Sequence, residues 1–105
     1  MAWIMLFTAG LLEIVWAYFM KRSDGFTLLT PTIITIVTMI ASFALLSVSM
    51  KTLPLGTAYT IWTGIGAVGA FVVGIAVLGE AMTPMRVAAA ALIVTGIVMM
   101  KLSSS

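Results

Sequence analysis

A chain of 105 residues that is 63% hydrophobic carries five basic and three acidic side chains, 8% charged in all. An ordinary soluble domain is about 25% charged, so the composition excludes one, and five scattered Lys and Arg form no nucleic-acid surface. With no Cys and no His, disulfides, thiolate metal sites, Cys nucleophiles and His proton shuttles are excluded too, and neither a metal nor a cofactor is expected.

A membrane-spanning helix needs about 20 mostly apolar residues. Residues 1–20 hold one charge, Glu13, while residues 25–50, 52–79 and 87–100 hold none. The last run extends back to Pro84 if Arg86 snorkels toward the headgroups. These spans use nearly the whole chain, 1–105, and predict one all-α transmembrane domain with helices at about 2–21, 30–50, 56–78 and 84–101. The first run does not read as a signal peptide, since it lacks a basic leader and carries Glu13 inside.

In the first helix, Glu13 has a long apolar stretch before it and no Lys or Arg at its depth in any span. A charge there is costly, so an intramembrane carboxyl marks function by default. Burial disfavours the carboxylate anion. Such a group can hold a proton at neutral pH and release it when a cation arrives, which is the minimum needed for proton–cation antiport. Gly10 at i−3 leaves room beside Glu13, and Trp16 at i+3 either walls a pocket or sits in the headgroup belt. Lys21 to Gly25 is a polar turn, and Pro31 is expected at the first position of the second helix.

The second helix carries hydroxyls at Thr35, Thr38, Ser42 and Ser49, on one stripe. They either reach a neighbouring helix or a carboxyl, or bond back to their own backbone. Ser42, near mid-span, is the best placed to touch Glu13. In the third helix, Tyr59, Trp62, Thr63 and Gly66 share a face at i, i+3, i+4 and i+7. Tyr and Trp offer π faces to a cation and hydrogens to a carboxylate, or else face lipid. Gly64 and Gly66 weaken the helix and permit a hinge, while Gly66, Ala70 and Gly74 form a small-residue packing ridge. The segment from Gly79 to Pro84 breaks the chain again, with Thr83 as N-cap. The fourth helix has no mid-span charge or aromatic, and Leu92, Ile93 and Gly96 lie on a smooth pairing face.

Lys51 and Lys101 fall at one end of the bundle, against Lys21, Arg22 and Arg86 at the other. Lys/Arg bias sets orientation, and here there is almost none. Either copies insert both ways round, or a single charge decides. Lys101 either snorkels or braces a dimer. One carboxyl at depth supplies no acid–base pair, so an enzyme is not expected.

The lone Glu13, the "Glu-Ile-Val-Trp-Ala" run with Trp16, "Lys-Thr-Leu-Pro-Leu-Gly-Thr-Ala-Tyr" from Lys51, and "Tyr-Thr-Ile-Trp-Thr-Gly-Ile-Gly" from Tyr59 resemble the small multidrug resistance transporters, guanidinium-exporter subtype, end to end. Thr60 stands where members often have Ala, off the Glu13 face. The resemblance implies an antiparallel, dual-topology homodimer in a bacterial inner membrane. Its two Glu13 side chains would share one site, bonded by Ser42, Tyr59 and Trp62 and walled by Trp16. Gly10 and Thr63 would support the pocket, Gly64 and Gly66 would form the hinge, and Leu92, Ile93 and Gly96 would hold the dimer. The implied activity is export of guanidinium and small guanidinyl compounds in exchange for protons. Export of quaternary ammonium or other hydrophobic cations, a passive channel, and a non-transporting membrane subunit are the competing readings.

Overall fold

In a bilayer the backbone finds no water, so each span must satisfy its own N–H and C=O groups and coils into a helix. The computed structural model describes residues 1–103 and holds four such helices. They are α1 (Ala2–Arg22), α2 (Leu29–Ser49), α3 (Leu55–Ala76) and α4 (Pro84–Ser103). Their lengths of 21, 21, 22 and 20 residues correspond to roughly 30 Å at about 1.5 Å per residue, the thickness of the hydrocarbon layer. All four are long and apolar enough to cross a membrane.

The helix ends lie within two residues of the sequence reading, and the small shifts have local causes. α2 begins at Leu29 after an extended Leu28, which moves Pro31 from the first helical position to the third. A first-turn N–H has no intrahelical acceptor, so its absence from Pro31 leaves no bond broken. α1 is capped by Ser23, whose buried hydroxyl donates to Met20 O (2.7 Å) and accepts from Phe26 N (3.0 Å). The chain then turns back through Asp24, Gly25 and Phe26, all with positive φ. Thr83 caps α4, its Oγ1 accepting from Arg86 N (3.2 Å).

α1 packs along both α2 and α3, α2 barely meets α3, and α4 packs against α3 alone. The lateral order is therefore α2, α1, α3, α4, in a flat body of 42 × 34 × 16 Å. The buried apolar residues are Leu6 and Ala9 of α1, Leu46 of α2, and Ala58, Ile61 and Trp62 of α3. α4 contributes no buried residue. Its C-terminal end still reaches α1, with Lys101 Nζ 4.5 Å from the centre of the Trp3 ring. Trp3 and Lys101 thus mark one end of the bundle, and Lys21, Glu80 and Arg86, which line a common cavity, mark the other.

Small residues set these distances. A Cβ at Gly10 would crowd Ile65, and one at Gly69 would overlap Ile14, so α1 and α3 approach more closely than larger residues would permit. The expected ridge of Gly66, Ala70 and Gly74 is accordingly redistributed. Gly66 and Gly69 face α1, while Gly74 receives the Glu80 side chain.

Candidate functional site

Glu13 lies on α1 where that helix crosses α3, and its carboxyl sits directly over Gly66. A Cβ on Gly66 would overlap the carboxyl carbon and Oε1. Gly66, one of the two expected hinge glycines, forms the floor under Glu13, and α3 is helical through Gly64–Gly66. Oε1 is buried and has no hydrogen-bond partner, and no ion pair reaches Glu13 among the described residues. Trp16, one turn along α1, also buries its Nε1 without a partner. An unsatisfied polar atom away from water costs on the order of 1–3 kcal/mol or more. The unpaired carboxyl oxygen is suited to receive a proton or a hydrogen-bonding cation, whereas the indole N–H can only donate and so suits an acceptor.

One turn below lies a complete network. Ser42 Oγ donates to Ala9 O (2.7 Å) and accepts from Trp62 Nε1 (3.0 Å), with both side chains buried. The expected bonds from Ser42, Tyr59 and Trp62 to Glu13 are not made within this chain. The single Ser42 proton is committed to Ala9, the carbonyl one helical turn before Glu13, and Trp62 spends its one donor on Ser42. The rest of the hydroxyl stripe follows the local alternative. Thr35 donates to Pro31 O, Thr38 to Ile34 O and Ser49 to Leu46 O, each at 2.7 Å. Only Ser42 crosses to another helix.

An aromatic row runs across the three helices. Trp16 meets Phe43 edge-on at 6.3 Å, Phe43 tilts against Trp62 at 5.7 Å, and Trp62 against Tyr59 at 5.6 Å. Phe43 is the member that the sequence reading missed. It follows Ser42 but lies off the hydroxyl stripe, so no periodicity marks it. Gly69 escapes the sequence pattern for a different reason, since it lies at i+3 from Gly66, off the i+4 spacing of the small-residue ridge.

Tyr59 and Thr63 are not gathered around Glu13. Tyr59 is half exposed, and both line a groove of about 750 Å³ between α3 and α4, with Gly64, Ile93, Gly96 and Ile97. Gly64 faces this side, where a Cβ would stand 2.8 Å from Ile97 Cδ1. Leu92, Ile93 and Gly96 are exposed, with Leu92 at 73%.

A family model described as Small Multidrug Resistance protein matches residues 1–93. The chain belongs to this family. Proteins named "Guanidinium exporter" from Escherichia coli, Citrobacter freundii and Salmonella typhimurium are each 59% identical to it over 104 residues, covering 99% of both chains. As a small multidrug resistance protein with four spanning helices, it is a multi-pass integral membrane protein. Glu13, Trp16, Ser42 and Trp62 fall in or beside the α1–α2–α3 packing. Tyr59 reaches from that packing, through its contact with Trp62, to the groove facing α4.

Proposed function

We propose that this chain exports guanidinium and small guanidinyl compounds by proton-coupled antiport with alternating access. The observation that carries the reading is the buried, unpartnered Glu13 Oε1 over Gly66. Proton and cation compete for that carboxyl. A guanidinium ion is planar and offers paired N–H donors that match a carboxylate fork, and the 59%-identical relatives named guanidinium exporters support it as the substrate.

The working unit in this reading is an antiparallel homodimer in the bacterial inner membrane, each copy inserted the opposite way. Two features support it. Lys and Arg are almost evenly divided between the bundle ends, and α4 has no buried residue while carrying Leu92, Ile93 and Gly96 on its surface. The two Glu13 carboxyls then face one cavity and titrate as a coupled pair. Trp16, Ser42, Tyr59 and Trp62 surround them, Gly10 and Thr63 back the pocket, and the Gly64–Gly66 segment moves between states. One monovalent cation exchanged for up to two protons makes transport electrogenic, and charge-neutral exchange in a substrate-driven current would overturn that stoichiometry.

The aromatic row favours a second reading, export of quaternary ammonium or other hydrophobic cations, because π faces attract cations that carry no N–H. The test is uptake into proteoliposomes against a pH gradient, wild type beside Glu13→Gln, with guanidinium and then tetraalkylammonium. Gradient-driven guanidinium uptake, lost in Glu13→Gln, is expected. Uptake of tetraalkylammonium alone selects the second reading, and a folded wild type that moves neither is a non-transporting subunit.

A further inference from the structure

At the end of the bundle away from Trp3 and Lys101, a cavity of about 350 Å³ opens among α1, α3 and the start of α4. Its floor is apolar, with Ile14, Ala17, Ala67 and Ala70. Its mouth is charged. Lys21, Arg86 and Glu80 all line it, together with Tyr18, and no ion pair within 4 Å joins these charges among the described residues. Two cations and one carboxylate therefore face the same space without direct contact with each other.

Glu80, Arg86 and Tyr18 are each held by something else. The Glu80 carboxyl is seated against Gly74, where a Cβ would overlap Oε1, and Glu80 N donates to Gly74 O at 3.0 Å. The Arg86 guanidinium lies 5.7 Å from the centre of the Phe71 ring. Tyr18 Oη accepts from Arg22 Nη1 at 2.9 Å, which leaves its own hydrogen available to donate. Gly74 is thus explained by the position of Glu80, and not by helix packing.

The cavity lies where α1 ends and α4 begins, the depth at which a spanning helix meets the headgroups. From this juxtaposition we propose that it is a binding site for the phosphoethanolamine headgroup of a membrane lipid. The phosphate fits between Lys21 and Arg86, with the Tyr18 hydroxyl as a further donor. The primary ammonium fits against Glu80. A headgroup bearing phosphate alone would leave Glu80 opposing it. A choline headgroup has the positive charge but no N–H for the carboxylate. The size agrees with small-molecule pockets, which run from about 300 to 1,000 Å³. This site is separate from Glu13 and stands whether or not the transport reading does.

The test measures thermal unfolding and retained lipid, by native mass spectrometry, for the purified full chain in detergent. The added lipids are phosphatidylethanolamine, phosphatidylcholine or phosphatidylglycerol of identical acyl chains. Phosphatidylethanolamine is expected to be retained preferentially and to raise the unfolding temperature most. Glu80→Gln should abolish the preference over phosphatidylglycerol, and Gly74→Ala, which displaces the Glu80 carboxyl, should weaken it. Lys21→Gln with Arg86→Gln should remove retention of all three phospholipids, while Lys21→Arg with Arg86→Lys keeps it if the double Gln variant does not fold. Asp24→Asn, a change at the same end but off the cavity, should leave the preference intact. Equal effects of the three lipids on the wild type overturn the proposal. So does a phosphatidylethanolamine preference that survives in Glu80→Gln. Preference for phosphatidylglycerol in both proteins also overturns it and leaves a simple anion site.

Discussion

The two sides of α3 use glycine for opposite purposes. Toward α1, Gly66 and Gly69 let another helix press in until a carboxyl is trapped without a partner. Toward α4, Gly64 meets the aliphatic side chains of Ile93 and Ile97, and beside them a groove of about 750 Å³ stays open. At Glu13 the first seam is tight, polar and unsatisfied. The second is open and apolar, and the helix beyond it has nothing buried. A small residue at a helix contact therefore does not identify the contact's role. What the partner helix inserts there does.

The comparison can be broken most sharply at Glu13, where Glu13→Gln is expected to abolish gradient-driven uptake while helix content stays unchanged by circular dichroism. Gly66→Leu should come next. It drives a side chain into the Glu13 carboxyl, with loss of transport and an overpacking cost of about 1–3 kcal/mol in chemical unfolding. On the other side of α3, Gly96→Leu combined with Leu92→Ala should lower the dimer fraction seen by cross-linking in liposomes, with the monomer's unfolding midpoint nearly unmoved because both residues are exposed. An unchanged dimer fraction would remove α4 from the interface. Ser42→Ala should cost about 1–3 kcal/mol, since Trp62 Nε1 loses its buried acceptor, and the tryptophan emission should shift. Thr35→Val should be nearly neutral, because its hydroxyl only bonds back to Pro31 O. A large effect there would mean that the stripe has a second crossing residue.

The fold was legible because the membrane makes composition decisive. Long apolar runs broken by Lys21–Gly25, Lys51–Gly56 and Gly79–Pro84 leave little choice of element or length. Glu13 was legible for the same reason, being the one carboxyl at depth. Partners were less legible. A stripe of four hydroxyls does not say which one leaves its own helix, since each local bond costs nothing in register. Ser42 crosses because Ala9 O and Trp62 Nε1 happen to flank it. The face shared by Tyr59, Trp62, Thr63 and Gly66 was real as a helical stripe but too wide to be one surface. Trp62 and Gly66 turn inward, while Tyr59 and Thr63 open toward α4. The seating of Glu80 on Gly74 had no sequence signal, because a loop carboxyl reads as solvated until the chain path is known.

Gly64 and Gly66 are two positions apart, about 200° around a helix of 3.6 residues per turn, and so nearly back to back. Whatever occupies Glu13 presses on one and α4 presses on the other, with only the width of a backbone between them. A small roll of α3 about its own axis slides its two faces in opposite directions. In the transport cycle proposed above, loading the carboxyl and shifting α4 would thus be two ends of one lever, whose fulcrum is bare main chain and whose stroke needs no broken helix.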